Sequence, residues 1–137
     1  MGYAMTLVKF RNGRREPIPR DAIARVLERH GCRIPPLRDG RNEIGLPHDE
    51  AGRSPLGEHA LLAVKHGEVT EFGLNRPQAT PECQALLFSL INDVRLTMFP
   101  DYGADIFARE DVFGDIPEDI LNQFSNRIAV TQPEDCA

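Results

Sequence analysis

The spacing of apolar positions changes several times along this chain, and each change marks an element. Met5 to Phe10 (Met-Thr-Leu-Val-Lys-Phe) is a short apolar, β-prone run that predicts a first strand. Asn12-Gly13 follows as a turn signal. From Asp21 the apolar spacing becomes i, i+3, i+4, i+7 at Ile23, Val26, Leu27 and His30, one face of a helix. Pro17 and Pro19 introduce that helix, and Gly31 ends it because glycine takes the left-handed conformation at a helix end. Pro35-Pro36 and Asp39-Gly40 mark a loop, and Ile44 and Leu46 share one face of a short strand over 42–46. Pro47 to Gly57, with Gly52, Pro55 and Gly57, reads as a mobile loop.

The strongest local signals come next. His59 to Lys65 and Glu68 to Leu74 flank His66-Gly67 and predict a hairpin, with Thr70, Phe72 and Leu74 on one face and Val69, Glu71 and Gly73 on the other. Thr80 is placed as an N-cap with Pro81 at the first helical position and Glu82 beside the positive helix end. Cys83, Leu86, Leu87, Leu90, Ile91 and Val94 then form an apolar stripe that must lie on a sheet. Leu96 to Phe99 is a strand stopped by Pro100, Tyr102-Gly103 turns the chain, and Asp105 to Arg109 is a further strand followed by an acidic loop. Asp115 with Glu118 matches a capping box ahead of a third helix anchored by Leu121 and Phe124. Ile128 to Val130 is a candidate edge strand, and 131–137 is expected to be a frayed tail. The order β-α-β-β-β-α-β-β-α-β predicts an α+β two-layer sandwich, a mainly antiparallel sheet with two or three helices on one face. At 137 residues, the chain is expected to form a single domain spanning 1–137.

Charge sharpens the picture more than composition does. The net charge is -5, but residues 1–65 hold 12 Lys and Arg against 8 Asp and Glu, while 66–137 hold 4 against 13. Asp101, Asp105, Glu110, Asp111, Asp115, Glu118 and Asp119 crowd one stretch with Arg109 as the single base among them. Such a field attracts cationic partners and repels phosphate backbones. Arg11, Arg14, Arg15 and Arg20, continued by Arg25, Arg29 and Arg33, lack interleaved aromatics for base stacking, so they read as a solvated face paired with Glu16, Asp21 and Glu28. No nucleic-acid partner is expected.

No motif names a reaction. A glycine-rich phosphate loop is missing, and Gly103 to Gly114 lies in acid. His30, His48, His59 and His66 lack metal-site spacing, so no metal or cofactor is expected. His30 reads as a helix-end residue where positive charge is favoured, and His66 as an exposed hairpin tip. Cys32, Cys83 and Cys136 are an odd count without a disulfide pattern, with Cys83 in the core and Cys136 in the tail. The two tyrosines, Tyr3 and Tyr102, make no sugar platform. Met1 to Phe10 does not resemble a signal peptide, Met5 offers an alternative start to Met1, and no apolar run has membrane-spanning length. A cytoplasmic location without membrane association is the expectation.

The run from Phe72-Gly73-Leu74 through Thr80-Pro81-Glu82, Leu86-Leu87-Phe88-Ser89-Leu90, Leu96-Thr97-Met98-Phe99-Pro100 and Asp105-Ile106-Phe107 carries a resemblance. Together with the size and acidity, it resembles the small immunity proteins that bacteria pair with polymorphic or contact-dependent toxins. The resemblance covers about half the chain and implies no catalytic residue. It implies a cognate protein toxin as partner, in many such pairs a nuclease with a basic cleft. Opposite fields would speed encounter while a few anchors fix affinity. The partner-contact residues on this reading are Asp101, Asp105, Glu110, Asp111, Asp115, Glu118 and Asp119, with Tyr102 and Phe113 as anchors. Phe113 is either such an anchor or a plug under the acidic loop. An intracellular adaptor and a small enzyme with a loop-assembled site, for instance Asp105 with Glu110 or Asp111, stand as alternative function classes.

Overall fold

Successive strand side chains face opposite sides of a sheet, and in the first strand both sides are covered. β1 (Ala4–Arg11) sends Met5 and Leu7 into the main apolar cluster and Val8 and Phe10 into a second one. A strand buried on both faces belongs in mid-sheet, and β1 lies there, between β5 (Glu68–Asn75) and β6 (Thr97–Pro100). The structure, a computed structural model, describes residues 4–136; Met1, Tyr3 and the choice of start lie outside the described residues.

The fold is α+β. Its eight-stranded sheet runs β3-β4-β5-β1-β6-β7-β8, where β3 is Gly40–Ile44, β4 His59–Lys65, β7 Asp105–Ala108 and β8 Asn126–Ala129. β2 (Arg14–Glu16) pairs with β1 alone. Every pairing is antiparallel except β7 with β8. That parallel pair needs a crossover, supplied by a 3-10 helix (Glu110–Asp115) and the short helix α3 (Glu118–Leu121). The long helices α1 (Arg20–Arg29) and α2 (Pro81–Asp93) place Ile23, Val26, Leu27, Leu86, Leu87, Leu90 and Ile91 on the main cluster. The crossover covers the opposite face over β1, β6 and β7, where Val112, Ile116 and Leu121 meet Val8, Phe10, Ile106 and Ala108.

Local chemistry explains the ends of α2. Thr80 Oγ1 accepts the Cys83 N–H at 3.1 Å, and its own hydroxyl donates to the Pro55 carbonyl. At the far end Lys9 Nζ donates to Val94 O at 3.2 Å and Arg109 Nη1 to Asn92 O at 3.0 Å. Cations are favoured there by the helix dipole.

Several expectations are corrected. Arg14 to Glu16 is a strand, made by a tight turn at Asn12-Gly13. Val69 faces the core with Phe72 and Leu74, because a bulge places Thr70 out of register and its hydroxyl bonds Ala63 O at 3.3 Å. The Asp115–Glu118 capping box does not form: Pro117 caps α3, and Asp115 serves the Asn12 turn instead. The loop over 47–57 is tied down by Asp49, whose carboxylate accepts the Ala51 and Arg53 N–H groups, and by fully buried Leu56. The tail does not fray. Pro133–Cys136 forms a 3-10 turn packed on α2, closed by Asp135 accepting from Thr131 and Gln132, and Cys136 is buried beside Cys83 and Met5. At His30 the surroundings disfavour rather than favour positive charge: burial first, then Arg29, lowers its pKa against the pull of Asp93, and its ring lies 3.2 Å from Ser89 Oγ.

One buried polar atom is unbonded among the described residues. Thr97 is fully buried, cross-strand from Val8, and its Oγ1 has no partner. Thr97→Val removes the stranded hydroxyl and keeps the shape, so it should stabilise the fold by about 1 kcal/mol. Urea denaturation checks this; an equal loss of stability would mean the hydroxyl is bonded in solution.

Candidate functional site

The crossover carries most of the predicted contact residues, and its backbone explains their presentation. Val112, Ile116 and Leu121 point inward, so Glu110, Asp111, Gly114, Glu118 and Asp119 point out and are exposed. Midway along, the segment meets the tip of the β1–β2 hairpin, where Asp115 Oδ1 accepts the Asn12 N–H at 3.0 Å and Asp115 O accepts the Gly13 N–H at 2.9 Å. It ends at the opposite end of the strands, where Asn126 N donates to Ala104 O at 2.9 Å. The acidic stretch thus crosses one face of the sheet from end to end.

The nine predicted residues divide by what they hold. Asp101 accepts the Ala4 N–H at 3.3 Å, and Asp105 accepts Asn126 Nδ2 at 2.8 Å, so both fasten strand ends. Asp111 is bound by Arg95 Nη1 at 3.1 Å and Arg109 Nε at 3.0 Å. These hydrogen bonds, from Arg95 foremost, hold its carboxyl below the usual range. Asp115 is committed to the turn. Phe113 is half-buried and packs on the second cluster beneath the crossover. Tyr102 is 69% exposed, the one exposed large hydrophobic side chain among the described residues. Glu110, Glu118 and Asp119 make no side-chain hydrogen bond or ion pair among the described residues. The stretch is therefore not one uniform field of free charge: its unengaged carboxylates are these three.

Other chemistry-bearing groups are placed elsewhere. His59 lies between Glu43, 3.2 Å from its Nδ1, and Glu58, 3.8 Å from its Nε2, on an exposed groove that His48 also lines. Among the described residues no three His, Cys, Asp or Glu converge to hold a metal ion. Burial pushes the thiols of Cys32 and Cys83 up to about 11 and that of Cys136 up to about 12, the last with help from Asp135 and Cys83. All three stay protonated at neutral pH, so none presents a thiolate nucleophile. No helix among the described residues is long and apolar enough to cross a membrane.

The arginine-bearing β1–β2 hairpin is a feature that the apolar pattern alone does not mark. The ion pairs expected with Glu16, Asp21 and Glu28 do not form among the described residues. Asn-Gly between two runs was the signal that would have revealed the hairpin. Comparison of the chain with protein-family models, with curated proteins and with solved structures found no match.

Proposed function

We propose that this chain is an immunity protein that binds and neutralises a cognate bacterial toxin in the cytoplasm of the cell it protects. The observation that carries the reading is the set of exposed, unengaged carboxylates, Glu110, Glu118 and Asp119, on a crossover whose apolar side chains pack on the sheet. A preorganised acidic surface costs little ordering on binding and steers a basic partner by its field. Tyr102, exposed in the β6–β7 loop, is the aromatic available as an anchor.

The test has two stages. Co-expression with a toxic protein encoded by a neighbouring gene should restore growth and allow co-purification; a pair that neither associates nor relieves toxicity ends the reading. The triple reversal E110K/E118K/D119K then separates the surface from the fold, because all three side chains are exposed and unbonded. Its association rate should fall at least tenfold at low salt, with a flatter salt dependence. Reversing Asp111 would be a poor probe, since it strands Arg95 and Arg109. An unchanged rate for the triple variant would exclude the crossover as the contact.

A further inference from the structure

The turn Asn12-Gly13 has positive φ at both residues, 52° and 77°, as a two-residue hairpin of the mirror-image type requires. The pair that closes it is Arg11 opposite Arg14, in direct cross-strand register and both exposed. Side chains so placed start about 5 Å apart, and like charges directly opposite are destabilising. Among the described residues no carboxylate lies within ion-pair distance of Arg11, Arg14, Arg15 or Arg20. Arg15 and Arg20 donate instead to the carbonyls of Thr70 and Gly67, each at 2.9 Å, which neutralises nothing. Burial foremost holds the ammonium of neighbouring Lys9 below the ordinary lysine range; Glu16 opposes the shift, and Arg95 and Arg11 add to it.

We propose that the tip of the β1–β2 hairpin is a docking surface for an acidic segment of a partner protein, with Arg11 and Arg14 receiving its carboxylates. The two guanidinium groups stand on a turn fixed by Asp115, so the receiving geometry is set before binding. Arginine suits the task because its planar donor fork matches a carboxylate. An extended phosphate backbone fits worse. Asp115 is bonded to the turn itself, and Glu110 and Asp111 precede it on the same crossover, so a long polyanion running past the tip meets like charge. A short acidic peptide covers the tip and stops before them. The surface is independent of the toxin contact, since it uses other residues and takes a partner of opposite charge.

The experiment measures fluorescence anisotropy with labelled hexaglutamate, labelled hexaglutamine and a labelled 12-base-pair DNA duplex, at low and physiological salt. Hexaglutamate should bind the whole chain at least tenfold tighter than hexaglutamine at low salt. R11E/R14E should lose at least fivefold of that affinity. R14E alone replaces a like-charge pair with an opposite one and should raise the melting midpoint by about 1–4 °C. No preference for hexaglutamate, undiminished binding by R11E/R14E, tighter binding of the duplex, or a fall in the R14E midpoint would each overturn the proposal.

Discussion

Leu87→Asp is expected to leave the chain unfolded at 25 °C, with no cooperative transition by circular dichroism. Leu87 lies in mid-α2, 2% exposed, on the stripe that seals the main face of the sheet. Removing a buried leucine side chain costs about 2–5 kcal/mol, and seating a carboxylate in its place adds a desolvation penalty of several more. The small cavity that Leu87 borders offers no cation to offset it among the described residues, being lined by Met5, Pro77, Gln78, Ala79, Cys83, Gln84 and Cys136. The sum rivals the whole stability of an ordinary domain, about 5–15 kcal/mol. Leu87→Met, which keeps the volume, should stay folded with a loss below about 1.5 kcal/mol. A Leu87→Asp protein that melts cooperatively near the parent would mean that α2 is not the seal of this core.

The helix that makes this prediction was legible in the sequence because all its signals are local: Thr80, Pro81 and six apolar positions at one spacing. The His66-Gly67 hairpin was legible for the same reason, and His66 and Gly67 do take positive φ there. What escaped depends on residues far apart in sequence. The inward turn of Val69 follows from a bulge whose register is set by β4. Asp115 and Glu118 satisfy the spacing of a capping box, but Asp115 meets the Asn12 N–H, 103 positions away in the chain, and takes that bond instead. The tail reads as a frayed terminus, yet three N–H and O–H groups of Thr131 and Gln132 converge on Asp135 and turn Cys136 into the core.

The candidate site was legible in the same partial way. Composition located the acidic stretch, and the structure places it on one face. Which carboxylates are unengaged was beyond the sequence, because Arg95, 16 positions earlier, joins the neighbouring Arg109 on Asp111 only once the chain after α2 is brought beside the end of β7. The arginines of the first hairpin show the converse. Nearby carboxylates in sequence, Glu16, Asp21 and Glu28, suggested neutral pairs, but the β2 register sets Glu16 opposite Lys9, and none of the three comes within ion-pair distance of Arg11 or Arg14 among the described residues.

Gly57→Ala decides between two readings of the segment over 47–57 by its sign. In a mobile loop the substitution would be neutral or would stabilise by about 0.4–1 kcal/mol, because alanine restricts the unfolded chain. In the folded structure Gly57 is buried, and a Cβ there would stand 2.8 Å from Leu74 Cδ1 and 3.0 Å from Asn75 O. Neither neighbour gives way readily. Leu74 is fully buried, and Asn75 O accepts the Glu58 N–H at 2.9 Å while Asn75 pairs with both Ala4 and His59. The segment cannot retreat either, since Leu56 is 1% exposed, its carbonyl accepts the Gln78 N–H at 3.1 Å, and Pro55 receives the Thr80 hydroxyl. Overpacking of this kind costs about 1–3 kcal/mol, and Gly57→Val should cost more. Gly114→Ala is the control: it is exposed, with nothing within 4 Å of its Cβ position, and should change stability by less than about 0.5 kcal/mol. Urea midpoints for the three variants give the answer. A Gly57→Ala protein as stable as the parent would release the segment from the α2 cap and return it to a mobile loop.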